Sequence, residues 1–201
     1  MKPEHELLEI GRILVQKTLA VSSSGNLSMR VGGRILYSPT GISLGELKAD
    51  ALAETDIEGN RIGSVSPTKE CMLHLAIYRR YAGARVIIHV HPAHTIAVAS
   101  SLCTEKKKYL PSITPQYVMR AGRVPVLPYA APGSEKLAGM VERCETRSAI
   151  ALQNHGVIVF AGDFKRAMGI LEEIEENCRI CLLAGSGARF LSEDEINALE
   201  K

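Results

Sequence analysis

Arg85-Val86-Ile87-Ile88-His89-Val90-His91-Pro92-Ala93-His94-Thr95 is the stretch around which the chain is organised. It opens as a β-branched apolar run of the kind that fills a buried strand. Side chains alternate faces along a strand, so His89 and His91 point one way while Ile88 and Val90 point the other. Pro92 ends the ladder. Two same-face imidazoles at a strand end can bind a metal if the chain brings back a third ligand. Otherwise they are structural histidines, satisfied where the strand stops.

Six histidines exist, at positions 5, 74, 89, 91, 94 and 155. His155 lies in Gln153-Asn154-His155-Gly156, a turn between the apolar runs 148–152 and 157–160, which reads as an antiparallel pair. A divalent metal on His89, His91 and His155 would have neutral ligands, keep its full charge and leave a position open for substrate. Metal binding is the better of the two readings. His94, beyond the proline, is expected beside this set or capping a helix. Ser66-Pro67 predicts a helix start, which puts Glu70 and His74 on one helical face. These two are further ligands or a surface pair. Glu70, in the first turn, is an acid/base or a complement to the helix dipole.

Composition narrows the classes. The chain has 201 residues, 46% hydrophobic and 23% charged, with a net charge of +2. That is one ordinary globular domain, and its charge argues against nucleic acid as the main partner. The most basic run, Glu105-Lys106-Lys107-Lys108, reads as a solvated loop. No stretch approaches a membrane span. Cys71, Cys103, Cys144, Cys178 and Cys181 are odd in number, with no disulfide framework, and predict a reducing cytoplasm.

Periodicity predicts helices over 4–20, from Ser66-Pro67 to about 81, and over 94–101, 116–121, 134–144 and 163–184. A last short helix follows the capping-box pair Ser192 and Glu195. Strands are expected at 27–31, 34–38, 51–55, 85–91, 124–127, 148–152 and 157–160, with Gly32-Gly33 as a hairpin turn. Ser43 is expected to cap a turn at 44–48. Glu172, Glu173, Glu175 and Glu176 read as a solvated helix face. Helices before and after a mostly antiparallel sheet give a layered α/β domain. Ser24-Gly25-Asn26, Thr40-Gly41 and Thr68-Lys69 are polar turns suited to a phosphate or a carboxylate.

Gly25-Asn26-Leu27-Ser28, Thr40-Gly41, Pro67-Thr68-Lys69-Glu70, His89-Val90-His91-Pro92 and Gln153-Asn154-His155-Gly156 occur together and in this order. With them the chain resembles the class II aldolase/adducin family, over about residues 7–184. The resemblance implies a single three-layer α/β/α domain, here 1–201, assembled as a homotetramer with active sites at subunit interfaces. It implies zinc, or another divalent metal such as Mn²⁺ or Co²⁺, on His89, His91 and His155, and Glu70 as catalytic acid/base. Asn26, Thr40, Gly41, Thr68 and Lys69 match phosphate-holding positions, with Gly25 shaping the loop. Tyr117 best matches a tyrosine that assists proton transfer from a neighbouring subunit, and Tyr109 is the other candidate.

The reaction expected from the resemblance is aldol cleavage of a phosphorylated ketose to dihydroxyacetone phosphate and an aldehyde. A decarboxylase of a phosphorylated 3-oxo acid, a pentulose-phosphate 4-epimerase and a methylthioribulose-phosphate dehydratase share its first half. An adducin-like interaction module is the non-enzyme reading, and the three histidines argue against it. One departure bears on the choice. Thr68-Lys69-Glu70 stands where the aldolase pattern has Ser-Ser-Glu. Lys69 can hold phosphate as a point charge, or receive a substrate carboxylate.

Overall fold

The computed structural model describes residues 2–103 and 108–200. β5 (Val86–Val90) runs inside the sheet between β1 (Asn26–Val31) and β8 (Gly156–Ala161), antiparallel to both. Outward from β1 come β2 (Arg34–Tyr37), β3 (Ala53–Asp56) and β4 (Arg61–Ile62). Outward from β8 come β7 (Ala149–Leu152) and the two-residue β6 (Val126–Leu127). Only the β6–β7 pairing is parallel, so the eight-stranded sheet is mixed but mostly antiparallel.

Alternation along the strands builds two cores. Val86, Ile88 and Val90 face one of them, with Leu27, Met29, Val157 and Val159. Five helices supply its other side: α1 (Pro3–Gln16), α3 (Ala93–Ser101), α4 (Pro115–Ala121), α6 (Phe164–Ala184) and α7 (Glu193–Leu199). Ile87, Ile150, Ile158 and Phe160 face the opposite core, closed by α2 (Cys71–Arg80) and α5 (Glu135–Arg143). The result is the expected single three-layer α/β/α domain. Each fully buried aliphatic side chain contributes roughly 1.5–3 kcal/mol by leaving water. That burial fixes the register, since a one-residue slip of β5 would turn His89 into the α1/α3/α6 core.

Three expectations are corrected. Ser66-Pro67 does not start α2. Pro67 instead pairs with Pro39 in an isolated antiparallel bridge, and Ser66 Oγ accepts from Arg61. The helix begins at Cys71, with Glu70 at its N-cap but making no capping bond. The strand expected from 51 begins only at Ala53, because residues 49–51 form a 3₁₀ turn before β3. Glu175 is not on a solvated face, as described below.

The region around Pro111 and Pro115, without periodicity of its own, is held from α6. Buried Asn177 accepts from the Ile113 and Thr114 amides at 3.1 and 3.3 Å and donates to the Pro111 carbonyl at 2.8 Å. Of the basic run, 105–107 lie outside the described residues, and Lys108 is exposed. Among the described residues no helix is long and apolar enough to cross a membrane.

Candidate metal centre

His89 and His91 leave β5 on the face toward α2, and register does the rest. His89 pairs with Asn26 on one side and Ile158 on the other, so the first residue of β1 and the start of β8 flank it. The β7–β8 turn carries His155, with Asn154 in the left-handed region at φ 56°. Gly156 is required there. A Cβ would run into the Val90 carbonyl and lie 2.7 Å from His91 Cδ2. Gly25, at φ +85°, similarly lets its loop rest on the His89 backbone.

Three ring nitrogens converge. His89 Nε2 is 3.2 Å from His91 Nε2 and 3.3 Å from His155 Nε2. Glu70 closes the group, with Oε2 3.1 Å from His89 Nε2 and Oε1 3.4 Å from His155 Nε2. His89 Nδ1–H donates to the Val157 carbonyl at 3.0 Å, which leaves its Nε2 lone pair aimed at the others. Donors about 2.0–2.1 Å from a tetrahedral ion sit roughly 3.3 Å apart, so this spacing fits a small divalent cation. Lone pairs facing one another at such distances repel unless a cation lies between them. Glu70 Oε1, buried and without a hydrogen-bond partner, faces into this group toward His155 Nε2. The donor set fits a metal.

Protonation agrees. Burial pushes His91 and His155 down to about 4, so both are neutral near pH 7. Glu70 shifts the other way from a merely buried carboxyl. Burial opposes its charge, but its contacts with the His89 and His155 rings and the Asn26 bond outweigh that. Its carboxyl is held well below the usual range, as an anion facing the histidines.

The structure gathers the polar turns around Glu70. The Pro39–Pro67 bridge and a Thr40 Oγ1–H bond to the Pro67 carbonyl (3.3 Å) join Thr40-Gly41 to Thr68-Lys69. Thr68 Oγ1 accepts from the Glu70 amide, and the Lys69 side chain is exposed. Asn26 Nδ2 donates to Glu70 Oε2 at 3.0 Å, with its second hydrogen free for another acceptor.

Elsewhere sequence reading needs revision. His74 is neither ligand nor surface partner but fully buried and hydrogen-bonded. His94 lies outside the cluster: its Nδ1–H and its amide both donate to Glu175, whose other oxygen takes the Thr95 amide and hydroxyl. Glu175 thus caps α3 from α6. Tyr117 is fully buried in the core, beside Cys178 and Cys181. Ser28 and Tyr78 were missed; Ser28, on the His89 side of β1, was the available signal.

Residues 5–182 match the family described as Class II Aldolase and Adducin N-terminal domain. The chain belongs to this family. A Haemophilus influenzae protein named 3-oxo-tetronate 4-phosphate decarboxylase is 36% identical over 96% of this chain and 94% of its own length. An L-fuculose phosphate aldolase of Methanocaldococcus jannaschii is 34% identical over 89% of the chain and 94% of its own. The crystal structure of Escherichia coli YgbL, whose description leaves aldolase, epimerase and decarboxylase open, superposes with a TM-score of 0.90 at 29% identity. It covers 98% of this chain and 97% of that one. The family member is thus an enzyme-type one, with its His/Glu cluster in place for a divalent metal.

Proposed function

We propose that the protein is a metal-dependent decarboxylase of a phosphorylated 3-oxo acid, releasing CO₂ and a phosphorylated hydroxyketone. The expected ketose-phosphate aldolase becomes the second reading. The observation that carries the choice is the 36% identity, over nearly the whole of both chains, to a relative named for that decarboxylation. Lys69 gives it a chemical basis, since an exposed ammonium next to Glu70 suits a substrate carboxylate better than a neutral ketose end.

A divalent cation held by His89, His91 and His155, zinc in the first instance and otherwise Mn²⁺ or Co²⁺, supplies stabilisation of the negative charge that develops on the 3-oxo oxygen. The bond to the carboxylate breaks, its electron pair moves toward the ketone, and the carbon left behind takes one proton that comes from solvent. Glu70 carries that proton. Because it rests as an anion, it is loaded through water in each turnover. Thr40, Gly41 and Thr68, with the Gly25-Asn26 turn, hold the phosphate and orient the reacting carbon. Lys69 takes the carboxylate end.

The aldolase reading draws on the Methanocaldococcus jannaschii relative and needs the same cation and Glu70. A homotetramer with interfacial sites fits an exposed apolar cavity of about 740 Å³, lined by Leu102, Tyr109, Leu182 and Phe190. Tyr109, half exposed there, takes over the role expected of Tyr117. The thiols of Cys71, Cys144, Cys178 and Cys181 support a reducing cytoplasm. The deciding experiment assays one zinc-loaded preparation against phosphorylated 3-oxo acids and ketose 1-phosphates. CO₂ release from the acids is expected; aldehyde release from the ketoses without decarboxylation would replace this reading with the aldolase one.

A further inference from the structure

A directed chain of hydrogen bonds runs behind Glu70, and its direction can be read from its acceptors. Glu70 Oε2 accepts from Asn26 Nδ2 at 3.0 Å, which turns Asn26 Oδ1 toward His74 Nε2 at 2.5 Å. An amide oxygen carries no hydrogen, so Nε2 must carry it. His74 is fully buried, and burial pushes it down to about 3, so it is neutral. Its Nδ1 is then bare and accepts from Ser28 Oγ–H at 2.6 Å. Having given its hydrogen, Ser28 accepts from the Tyr78 hydroxyl at 2.8 Å, a shorter contact than the 3.4 Å from that hydroxyl to the Arg85 carbonyl, its other acceptor. Every member is buried. All four donors point the same way, from Tyr78 to the carboxylate.

We propose that Tyr78, Ser28 and His74 are positioning residues that fix the orientation of the Asn26 amide, and thereby hold Glu70 turned toward His89 and His155. The inference deepens the reading of the site as a metal centre with Glu70 as proton carrier. An amide can flip at little cost unless something reads which end is which. Flipped, Asn26 would set its oxygen against the Glu70 carboxylate, two acceptors face to face. The His74 Nε2–H forbids this, because it needs the oxygen on its own side. Ser28 in turn favours this His74 tautomer, since a hydrogen on Nδ1 would oblige Ser28 and Tyr78 to turn their own hydrogens round, leaving Tyr78 only the longer 3.4 Å bond to the Arg85 carbonyl. Aligned donors also reinforce one another, so the far end of the chain strengthens the bond at Glu70.

The test uses the full-length, metal-loaded protein and needs no substrate for its main arms. With ¹⁵N-labelled histidine, His74 should show the Nε2–H tautomer alone in the unsubstituted protein, and a mixture in Ser28→Ala. Zinc affinity, measured by chelator competition, should fall 10–100-fold in His74→Leu, the range typical of groups that orient metal-site side chains. His74→Gln, which keeps an N–H toward Asn26, should recover most of it. Thermal melts of each variant separate loss of folding from loss of orientation. An Nδ1–H tautomer in the unsubstituted protein overturns the proposal. So does a folded His74→Leu variant with unchanged zinc affinity, or a His74→Gln variant no better than Leu. If the unsubstituted protein binds zinc but turns over none of the phosphorylated acids or ketoses, the functional reading fails while the tautomer and affinity results still decide the chain.

Discussion

Glu70 and His155 share one small volume but differ in what their loss should do. Glu70→Gln keeps three imidazoles for the metal and removes the group that carries the proton. Turnover should therefore drop by roughly 10²–10⁴-fold, the usual worth of a positioned acid/base, while zinc supplied in excess still fills the site, though bound more weakly. Full activity in that variant would take the proton role away from Glu70. His155→Ala removes a ligand, and zinc retention after dialysis against a mild chelator should be lost; unchanged retention removes His155 from the ligand set. His89, His91 and His155 were legible in the sequence because strand periodicity placed two and a turn signature placed the third. The state of Glu70 was not legible, because its depressed pKa comes from His89 and His155, which are distant in sequence.

Elements show where local signals fail. Ser66-Pro67 has the form of a helix start, yet a strand-like bridge from Pro39 claims Pro67 and delays α2 to Cys71. Glu175 sits among glutamates on α6 and was sorted with them, although its side chain is only 16% exposed and accepts four hydrogen bonds from His94 and Thr95. Its partners lie eighty residues earlier, beyond any window of helical periodicity. α3 has no side-chain cap of its own at Pro92, so Glu175 satisfies the amides that a helix start leaves orphaned. Glu175→Ala should cost about 1–2 kcal/mol, at the upper end for caps because the donors are partly buried. Denaturant melts measure this directly. A loss below a few tenths of a kcal/mol would mean that water replaces the carboxylate. Because α3 follows His91 by two residues, the same variant is also expected to weaken zinc binding slightly.

For the whole molecule, layering followed from alternation along β1, β5, β7 and β8, whereas the strand order rests on long-range pairing that no local pattern shows, and β6 is only two residues long and pairs with β7. The same layering buries an unusual set of titratable groups, and this makes stability depend on pH with a definite sign. A histidine whose pKa falls on folding, from 6.5 to about 3 for His74 and to about 4 for His91 and His155, takes up its proton more readily unfolded. Stability is therefore full above pH 6.5 and declines as pH falls through that value toward 4, at about 1.4 kcal/mol per unit of pH for each group. Glu70, held below 4.5, adds a loss of the same sign at still lower pH. Zinc competes with protons for the same nitrogens, so its contribution must fade over the upper part of this window. At free zinc 100-fold above its Kd the folded state gains about 2.7 kcal/mol. Thermal melts from pH 7.5 to 4.5, with zinc and with chelator, should give two curves that both fall on acidification and converge near the acid end. A chelated protein with the same midpoint at pH 7.5 and pH 5 would contradict the buried neutral histidines. Parallel curves that never converge would place the zinc on ligands other than this cluster.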